Sequence, residues 1–325
     1  MTPLELATDR MNQLGKERVP FLFVFDYLMR QPIVLPISMI KPTEILFALN
    51  GQHNMPEALV PDRNKICFDI DPPEIKRFEQ AFNKVMHHLR RGDSYLLNLT
   101  MPVTITTNLN LKEIFYLSQA KYKLWINNLF TVFSPEPFVK IDNGRIFSFP
   151  MKGTIDATLP DAAALLIENP KEIAEHYTIV DLIRNDLNMV AEGIKVERFR
   201  YLEEIITSKG KLSQTSSLIS GHLPENYHET IGNILTRLLP AGSITGAPKK
   251  RTVEIIHEAE QYDRNYYSGV FGLFDGQNLD SGVMIRFIEQ TPDGLLFKAG
   301  GGITINSIMD EEYNELVNKV YLPIR

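Results

Sequence analysis

The sequence predicts an α+β protein built on large antiparallel sheets. Apolar, strand-like runs are joined by short turn signals, as in "PFVKIDNGRIFSF" at 137–149 and "TPDGLLFKAGGGITI" at 291–305. Turns that contain Asn-Gly or Asp-Gly connect antiparallel neighbours. Helical periodicity falls in separate blocks of the chain. Because strands and helices do not alternate strictly, the pattern favours antiparallel sheets with helices beside them over a parallel architecture.

The individual elements follow in chain order. A first hairpin is predicted over 137–149, a second over 269–289 and a third over 291–305, each around a turn that contains glycine. A long helix is predicted over 170–191, because apolar residues recur there every three or four positions. A C-terminal helix is predicted after a capping box that runs from Ser307 to Asp310. The apolar stripes are Ile173, Tyr177, Val180, Ile183, Leu187 and Val190 in the long helix, and Tyr313, Leu316, Val317 and Val320 in the C-terminal one.

Composition bounds the class of protein. The chain has 325 residues, of which 44% are hydrophobic and 23% charged, enough for a large core, which excludes a disordered or fibrous protein. The formal net charge is -6 and no segment carries a basic stripe, so we expect no nucleic-acid partner. No linker, low-complexity tract or repeat interrupts residues 1–325, which are therefore expected to form one domain.

The N-terminal region and the cysteine content indicate a compartment. Asp9 and Arg10 precede the short apolar run 21–25, which ends at Asp26, so neither a signal peptide nor a membrane span is predicted. We expect a cytoplasmic protein with no membrane partner. The single cysteine, Cys67, excludes a disulfide framework and a thiolate metal cluster. We expect it to be a buried structural thiol.

Two pairs of glutamates are candidate metal ligands. Glu172 and Glu175 are three residues apart on the long helix, and Glu312 and Glu315 are three apart on the C-terminal helix, so each pair projects from one helix face. If the two faces converge, their repulsion requires a cation, and an all-oxygen site suits Mg²⁺. Taken alone, such pairs are more often solvated helix faces. Lys319 extends the second face and could bind a substrate anion or form a surface ion pair.

Three further features could bind an anion. The turn that contains Ser243 precedes a helix start at Pro248, where free N–H groups and the helix dipole favour negative charge, although an ordinary capped helix fits equally well. Arg286 interrupts an apolar run and needs a carboxylate or a bound anion as partner. The glycines 300–302 would allow a ligand close to the backbone, as would a bulge or a bend in a strand.

Glu136 and Lys152 are expected to lie at the same end of the first hairpin. With the turn near Asn143, Glu136 faces about residue 150, and Lys152 follows shortly after. On geometry alone, a cross-strand salt bridge is the more common explanation for such a pair.

From Glu79 to Ile324 the chain resembles the chorismate-utilising enzyme family, which includes anthranilate, aminodeoxychorismate, isochorismate and salicylate synthases. The matching blocks occur in the family's order, and residues 1–78 form a short N-terminal segment before this core. The resemblance implies two large packed antiparallel sheets flanked by helices. The blocks are "GDSYLLNLT", "SPEPF", "PMKGT", "EIAEHYTIVDLIRNDL", "LPAGSITGAPKKR", "YYSGVFG", "IRF", "AGGGI" and "EEYNELVNK".

The same resemblance implies roles for the candidate residues. Glu136 corresponds to the general acid that protonates the hydroxyl leaving ring carbon 4 of chorismate, a contribution typically worth ~10²–10⁴ in rate. The four glutamates Glu172, Glu175, Glu312 and Glu315 would surround Mg²⁺. The substrate-binding residues implied by the resemblance are Thr154, Ser243, Tyr267, Arg286, Lys319 and the backbone of Gly300 and Gly302.

Three positions indicate the branch of the family. Isochorismate and salicylate synthases use a lysine base at the position of Leu96, which cannot do that work. Anthranilate synthases usually carry alanine at the position of Lys152. A lysine there resembles aminodeoxychorismate synthases. The resemblance implies that the lysine amine adds at carbon 2, and that ammonia then attacks carbon 4 and expels the lysine. Gln214 stands where relatives carry a histidine used around pyruvate elimination, which fits an enzyme that stops before that step.

The resemblance also implies a partner. Glutaminases of this kind use a cysteine nucleophile in a glycine-flanked turn with a histidine base, and the surroundings of Cys67, "NKICFDI", offer neither. We therefore expect ammonia to come from a separate glutamine amidotransferase subunit. Two alternatives remain open, an anthranilate synthase component I and a catalytically silent chorismate-binding subunit; the presence of Glu136, Lys152 and all four glutamates disfavours the silent subunit.

Overall fold

The computed structural model describes residues 1–57, 65–207 and 210–324. Within them the chain forms two large antiparallel sheets flanked by helices, as the sequence predicts. The helices are α1 Pro3–Lys16, α2 Ile75–Arg90, α3 Leu111–Leu117, α4 Ala162–Glu168, α5 Pro170–Asn188, α6 Ile231–Leu238, α7 Gly242–Thr245, α8 Lys249–Glu260 and α9 Met309–Asn318. The strands are β1 Phe21–Phe25, β2 Ile33–Pro36, β3 Ile45–Leu49, β4 Gln52–His53, β5 Phe68–Asp71, β6 Leu96–Thr107, β7 Tyr122–Ile126, β8 Phe130–Ser134, β9 Pro137–Asp142, β10 Arg145–Ser148, β11 Met151–Asp156, β12 Glu192–Thr207, β13 Gly210–His222, β14 Gly246–Ala247, β15 Val270–Phe274, β16 Leu279–Val283, β17 Phe287–Thr291 and β18 Gly294–Ile303.

Each sheet has a long central path and one additional strand. The first sheet has the order β11-β13-β10-β9-β16-β15-β1-β2, with β12 on the outer side of β13. The second sheet has the order β14-β6-β18-β17-β8-β7-β3-β4, with β5 on β6. The N-terminal region therefore contributes to both sheets: β1 belongs to the first sheet and β3 to the second.

Strand β1 shows how the layers pack. All five of its residues are buried, because the sheet has protein on both faces. Its even-numbered residues join the cluster between the two sheets, and its odd-numbered residues join the cluster beneath the helices α1, α5 and α6. A third cluster packs the opposite face of the second sheet against α2, α3, α8 and α9. The architecture is thus helices, sheet, sheet, helices.

The first and third predicted hairpins are confirmed, and the second, predicted over 269–289, is confirmed as far as Val283, because residues 287–289 belong to β17 of the second sheet. Strands β9 and β10 pair with Arg145 opposite Asp142, β15 and β16 with Phe274 opposite Leu279, and β17 and β18 with Thr291 opposite Gly294. Each glycine-containing turn thus fixes the register of a strand pair that crosses its sheet.

The long helix is confirmed as α5, with one error in its buried face. Val180, Ile183 and Leu187 are buried, but Tyr177 is 58% exposed. Its ring instead lies against Phe199 of β12, with the centroids 4.8 Å apart. Because β12 lies at the sheet edge, the aromatic pair of Tyr177 and Phe199 remains partly open to solvent.

The C-terminal helix is confirmed as α9, but the capping box before it is wrong. The helix begins after Ile308, whose side chain makes no capping hydrogen bond. The Ser307 hydroxyl instead accepts a hydrogen bond from the backbone N–H of Thr304, 3.1 Å away. Ser307 therefore closes the turn that precedes the helix, a local use of serine that competes with capping.

Cys67 is exposed, so the prediction of a buried thiol is wrong. It stands just before β5, which pairs with β6 at the margin of the second sheet. Within the described ranges, the neighbours of this margin leave the thiol exposed to water. No helix in the described part of the chain combines the length and apolarity that crossing a bilayer would require.

The segment 242–248 differs from the predicted helix start. It forms the short helix α7 and then the two-residue strand β14, so that Pro248 is the residue before α8 rather than within its first turn. Gly246 has φ +94°, and a Cβ there would lie 1.7 Å from the carbonyl oxygen of Leu96. Only glycine allows β14 to pair this closely with the start of β6.

We predict that Gly246→Ala lowers the free energy of unfolding by about 3 kcal/mol or more, because the new methyl group meets backbone that cannot move without breaking the β6 pairing. The control is Gly51→Ala, since Gly51 has nearly the same φ, +93°, but nothing within 4 Å of its Cβ position. The control is expected to lose about 1–2 kcal/mol through backbone strain alone. Urea unfolding measures both, and equal losses would show that the contact with Leu96 has no effect.

Candidate active site

Glu136 lies immediately before β9 and has a neutral partner. The Ser243 hydroxyl of α7 donates to Glu136 Oε1 at 2.7 Å, and the Glu136 backbone N–H donates to the Ser134 hydroxyl at 3.1 Å. Burial raises the pKa of the Glu136 carboxyl, and the hydrogen bond from Ser243 and the charges of Lys152 and Lys319 offset only part of that rise. The site therefore shifts the carboxyl toward its protonated form, the form a general acid needs.

Lys152 lies on β11, with its side chain 20% exposed. Its backbone pairs with Thr215 of β13, and the Thr215 hydroxyl donates to the Lys152 carbonyl. Lys152 Nζ lies 3.7 Å from Glu175 Oε2. A Cβ at position 302 would lie 2.9 Å from the same nitrogen, so the glycine at 302 provides the space in which the amine stands.

The prediction that Lys152 and Glu136 lie at the same end of one hairpin is wrong, because Lys152 belongs to a separate strand, β11. The ladder between β9 and β10 ends at the pair Lys140 and Phe147, before it reaches either residue. After a break, β11 continues along the same edge of β13 that pairs with β10. In the described part of the chain the ion pair of Lys152 is with Glu175 rather than with Glu136. The charge of Lys152 still acts on Glu136, so both groups belong to one site.

The four glutamates approach the site from two helices. Glu172 Oε2 would lie 2.7 Å from a Cβ at position 153, beside Lys152. A Cβ at position 301 would lie 3.3 Å from both Glu312 Oε2 and Glu315 Oε1. The first pair therefore stands next to β11 and the second next to β18.

The same glutamates do not yet form a metal cluster. Among the described residues, no three Asp, Glu, His or Cys side chains are grouped closely enough to hold a metal ion. A lysine lies near one glutamate of each pair: Lys152 is 3.7 Å from Glu175, and Lys319 Nζ is 2.5 Å from Glu315 Oε1. The donor chemistry, carboxylate oxygens from two helices, suits Mg²⁺. The side chains would have to move together to bind it.

Arg286 and Lys319 form the cationic side of the site. Arg286 was expected within a strand, but it lies between β16 and β17 with φ +54°. Its Nη1 donates to the Lys319 carbonyl, and its guanidinium lies over the Tyr321 ring, 5.0 Å from the centroid. Lys319 Nζ donates to the Gly300 carbonyl at 2.8 Å. A guanidinium has five N–H donors in a planar fork, a geometry that suits a carboxylate.

Two further residues, Tyr267 and Thr154, were predicted to bind substrate. Tyr267 is buried, and burial raises the pKa of its phenol, so it is a neutral hydrogen-bonding group. The electrostatic effect of Glu136 on Tyr267 places the two in the same region. The backbone of Thr154 belongs to β11, but its side chain lies outside the described part of the structure.

Sequence reasoning missed two polar pairs that link α5 to its surroundings. His176 is fully buried, and its Nε2 lies 2.6 Å from the Ser217 hydroxyl of β13. Burial lowers the pKa of His176 to about 4, so the imidazole is neutral at ordinary pH. Lys249 Nζ lies 2.8 Å from Asp186 Oδ2 and donates to the Leu238 carbonyl. A polar residue within the apolar face of α5 was the available signal for His176.

Comparison with known proteins indicates a family. The sequence profile of the family described as chorismate binding enzyme matches residues 41–325. A PabA-like protein of Pasteurella multocida is 50% identical over 321 residues, which cover 99% of each chain. Aminodeoxychorismate synthase component 1 of Escherichia coli is 32% identical over 262 residues, which cover 75% of this chain and 56% of that enzyme. The crystal structure of anthranilate synthase component I from Streptococcus pneumoniae superimposes with a TM-score of 0.67 at 26% identity, covering 78% of this chain and 58% of that one.

We predict that Ser243→Ala raises the pKa of Glu136 further, because the hydroxyl donates a hydrogen bond that favours the ionised carboxylate. The pKa can be read from the ¹³C shift of the carboxyl carbon during a pH titration, with Glu136→Gln identifying the signal. Ser134→Ala is the matched control, since the Ser134 hydroxyl accepts from the backbone N–H of Glu136 rather than bonding to its carboxyl. A fall in the pKa in Ser243→Ala, or an equal rise in the control, would contradict this assignment.

Proposed function

This chain belongs to the chorismate binding enzyme family, and we propose that it is an aminodeoxychorismate synthase component I. It would convert chorismate and ammonia to 4-amino-4-deoxychorismate, the precursor of 4-aminobenzoate and folate. The family membership rests on the profile match and on the relatives described above. The choice of this branch rests on the residues of the site.

The observation that carries the proposal is the position of the Lys152 amine. Lys152 Nζ stands beside the backbone of Gly302 and 3.7 Å from Glu175 Oε2, and its charge acts on Glu136. A primary amine and a carboxyl that favours its proton therefore face one space. This is the pair of groups needed to attack one end of an allylic system while protonating the group that leaves from the other.

In the first displacement, the neutral Lys152 amine adds at ring carbon 2 of chorismate. The ring double bond shifts, the bond between carbon 4 and oxygen breaks, and the hydroxyl leaves as water with the proton of Glu136. Lys152, whose side chain is 20% exposed, must lose its proton to solvent before it attacks. Glu136 is left ionised beside the positively charged adduct.

In the second displacement, ammonia adds at carbon 4 and the bond between carbon 2 and Lys152 breaks. The lysine leaves as a neutral amine, and the new ammonium at carbon 4 passes one proton to Glu136. The acid and the nucleophile are thereby restored, and the net reaction exchanges hydroxyl for amine with release of water. Since pyruvate is not eliminated, the enolpyruvyl group stays on the product.

Substrate positioning falls to the cationic side of the site. Arg286 and Lys319 would bind carboxylates of chorismate, with Ser243, Tyr267, Thr154 and the backbone of Gly300 and Gly302 as further contacts. Glu172, Glu175, Glu312 and Glu315 would hold Mg²⁺, which would supply positive charge for the ring carboxylate. In the described geometry Glu175 and Glu315 have lysine partners, so metal binding would require Lys152 and Lys319 to release them.

Ammonia would be delivered by a separate glutamine amidotransferase subunit, and the pair would work in the cytoplasm. The backbone of the exposed Cys67 is hydrogen-bonded to the side chains of Asn108 and Thr107, and no glycine flanks it in "NKICFDI", which supports a glutaminase on another chain. The second candidate function is anthranilate synthase component I, favoured by the structural match at 26% identity. Lys152 argues against it. A silent chorismate-binding subunit would have no need for Lys152 and Glu136 in one site.

We predict that Lys152→Ala abolishes formation of 4-amino-4-deoxychorismate at saturating ammonium, a loss of at least ~10³ in rate, because the first displacement lacks its nucleophile. Chorismate should still bind, since other residues hold its carboxylates. Lys140→Ala is the control, because Lys140 is a solvent-accessible lysine of the neighbouring strand β9. Chromatography of the products, with and without an added lyase, measures the rates.

A wild-type rate in Lys152→Ala would show that the lysine is not the nucleophile and serves only as a partner of the carboxylates. If ammonia attacks carbon 2 in this variant, an anthranilate-type product forms. That outcome would support the position of the Lys152 amine beside carbon 2, because ammonia then takes its place as the nucleophile.

We predict that Glu315→Gln raises the Mg²⁺ concentration for half-maximal activity by at least ~10-fold and lowers activity in parallel, because one charged ligand is lost. Glu311→Gln is the control on the same helix, since Glu311 is exposed and lies outside the two predicted pairs. Isothermal titration with Mg²⁺ in the presence of chorismate gives the affinity directly. An unchanged titration in Glu315→Gln would place the metal elsewhere.

A further inference from the structure

A narrow cavity lies on the side of Glu136 that faces α5. It is lined by Glu136 and Ser243, by Asp186 of α5, and by apolar side chains that include Val139, Ile183 and Leu187. Its free space for a water-sized molecule is about 20 Å³, which is enough for one such molecule. Chorismate is far too large for it. The only reactant of the proposed reaction that matches this size is ammonia.

We propose that this cavity is the ammonia site, from which the second nucleophile reaches carbon 4. The inference rests on the proposed function. Ammonia forms its bond to carbon 4, which the hydroxyl has left. It must therefore approach carbon 4 close to Glu136, because Glu136 protonated that hydroxyl. Glu136 lines the cavity, so its occupant would stand next to the group that acts at the reacting carbon.

The polar atoms of the lining suit a neutral ammonia molecule. The Asp186 carboxylate and the Ser243 hydroxyl can accept N–H hydrogen bonds, while apolar side chains form much of the remaining lining. Asp186 is paired with Lys249 at 2.8 Å, so the wall carries little net charge. The charges of Lys152 and Lys319 reach Glu136, which lines the cavity, and repel an ammonium ion. Neutral ammonia, the nucleophilic form, is thereby favoured.

Ile183 allows the site to be altered without touching a catalytic group. It lines the cavity from α5, and it is nearly buried. Ile183→Phe should fill the space and raise the KM for ammonium at least tenfold, while the KM for chorismate stays within twofold. Ile183→Ala should enlarge the space and admit methylamine, which gives a 4-methylamino product that the wild-type protein does not form.

Ile179 provides the matched control. It lies on the same helix and is more deeply buried, with 1% of its surface exposed against 9% for Ile183, but it does not line the cavity, so Ile179→Phe and Ile179→Ala disturb packing alone. We expect both to keep the wild-type KM for ammonium within twofold and to reject methylamine. Melting temperatures identify folded variants, and if Ile183→Phe does not fold, the methylamine assay on Ile183→Ala decides the question.

The proposal is overturned if folded Ile183→Phe keeps the wild-type KM for ammonium, if Ile179→Phe raises it equally, or if Ile183→Ala rejects methylamine. Failure of the proposed function looks different, because the wild-type protein would then form no 4-aminated product from ammonium. Amination by the wild-type protein with no effect at Ile183 would reject the cavity alone.

Discussion

The absence of side chains at Gly301 and Gly302 is the constraint on which the rest of the site depends. A Cβ at position 301 would press on Glu312 and Glu315 at 3.3 Å, and one at position 302 would lie 2.9 Å from Lys152 Nζ. The two glycines occupy adjacent positions of β18, so their missing side chains point to opposite faces of the strand. Bare backbone therefore lets the lysine of the first sheet and the carboxylates of α9 approach the second sheet together.

Charge balance then separates the roles of the carboxylates. Glu175 and Glu315 each have a lysine partner, Lys152 and Lys319. Glu136 has instead a neutral hydroxyl as its hydrogen-bond partner, and burial raises its pKa. Groups of the same chemical type thus have different electrostatic surroundings, an arrangement by which one site can present both an acid and candidate metal-binding carboxylates.

Local patterns predicted the elements correctly, and tertiary relations were the source of the errors. Glycine turns and apolar periodicity act within a few residues, so the three hairpins, α5 and α9 were predictable. The site residue Lys152 was assigned to the wrong strand pair because β11 is fixed by β13, about sixty residues further along the chain. Arg286 was placed within a strand because its left-handed backbone conformation has no signature in the flanking apolar residues. The exposure of Cys67 depends on its position at a sheet margin, which the sequence around it does not encode.

The identity of the product tests the central claim most directly. The purified chain is incubated with chorismate, Mg²⁺ and an ammonium salt, and the products are separated and identified by mass and fluorescence. We expect 4-amino-4-deoxychorismate, which yields 4-aminobenzoate only after a lyase is added, with no anthranilate at any time. Fluorescent anthranilate formed without an added lyase would contradict the proposed function and identify the chain as an anthranilate synthase component.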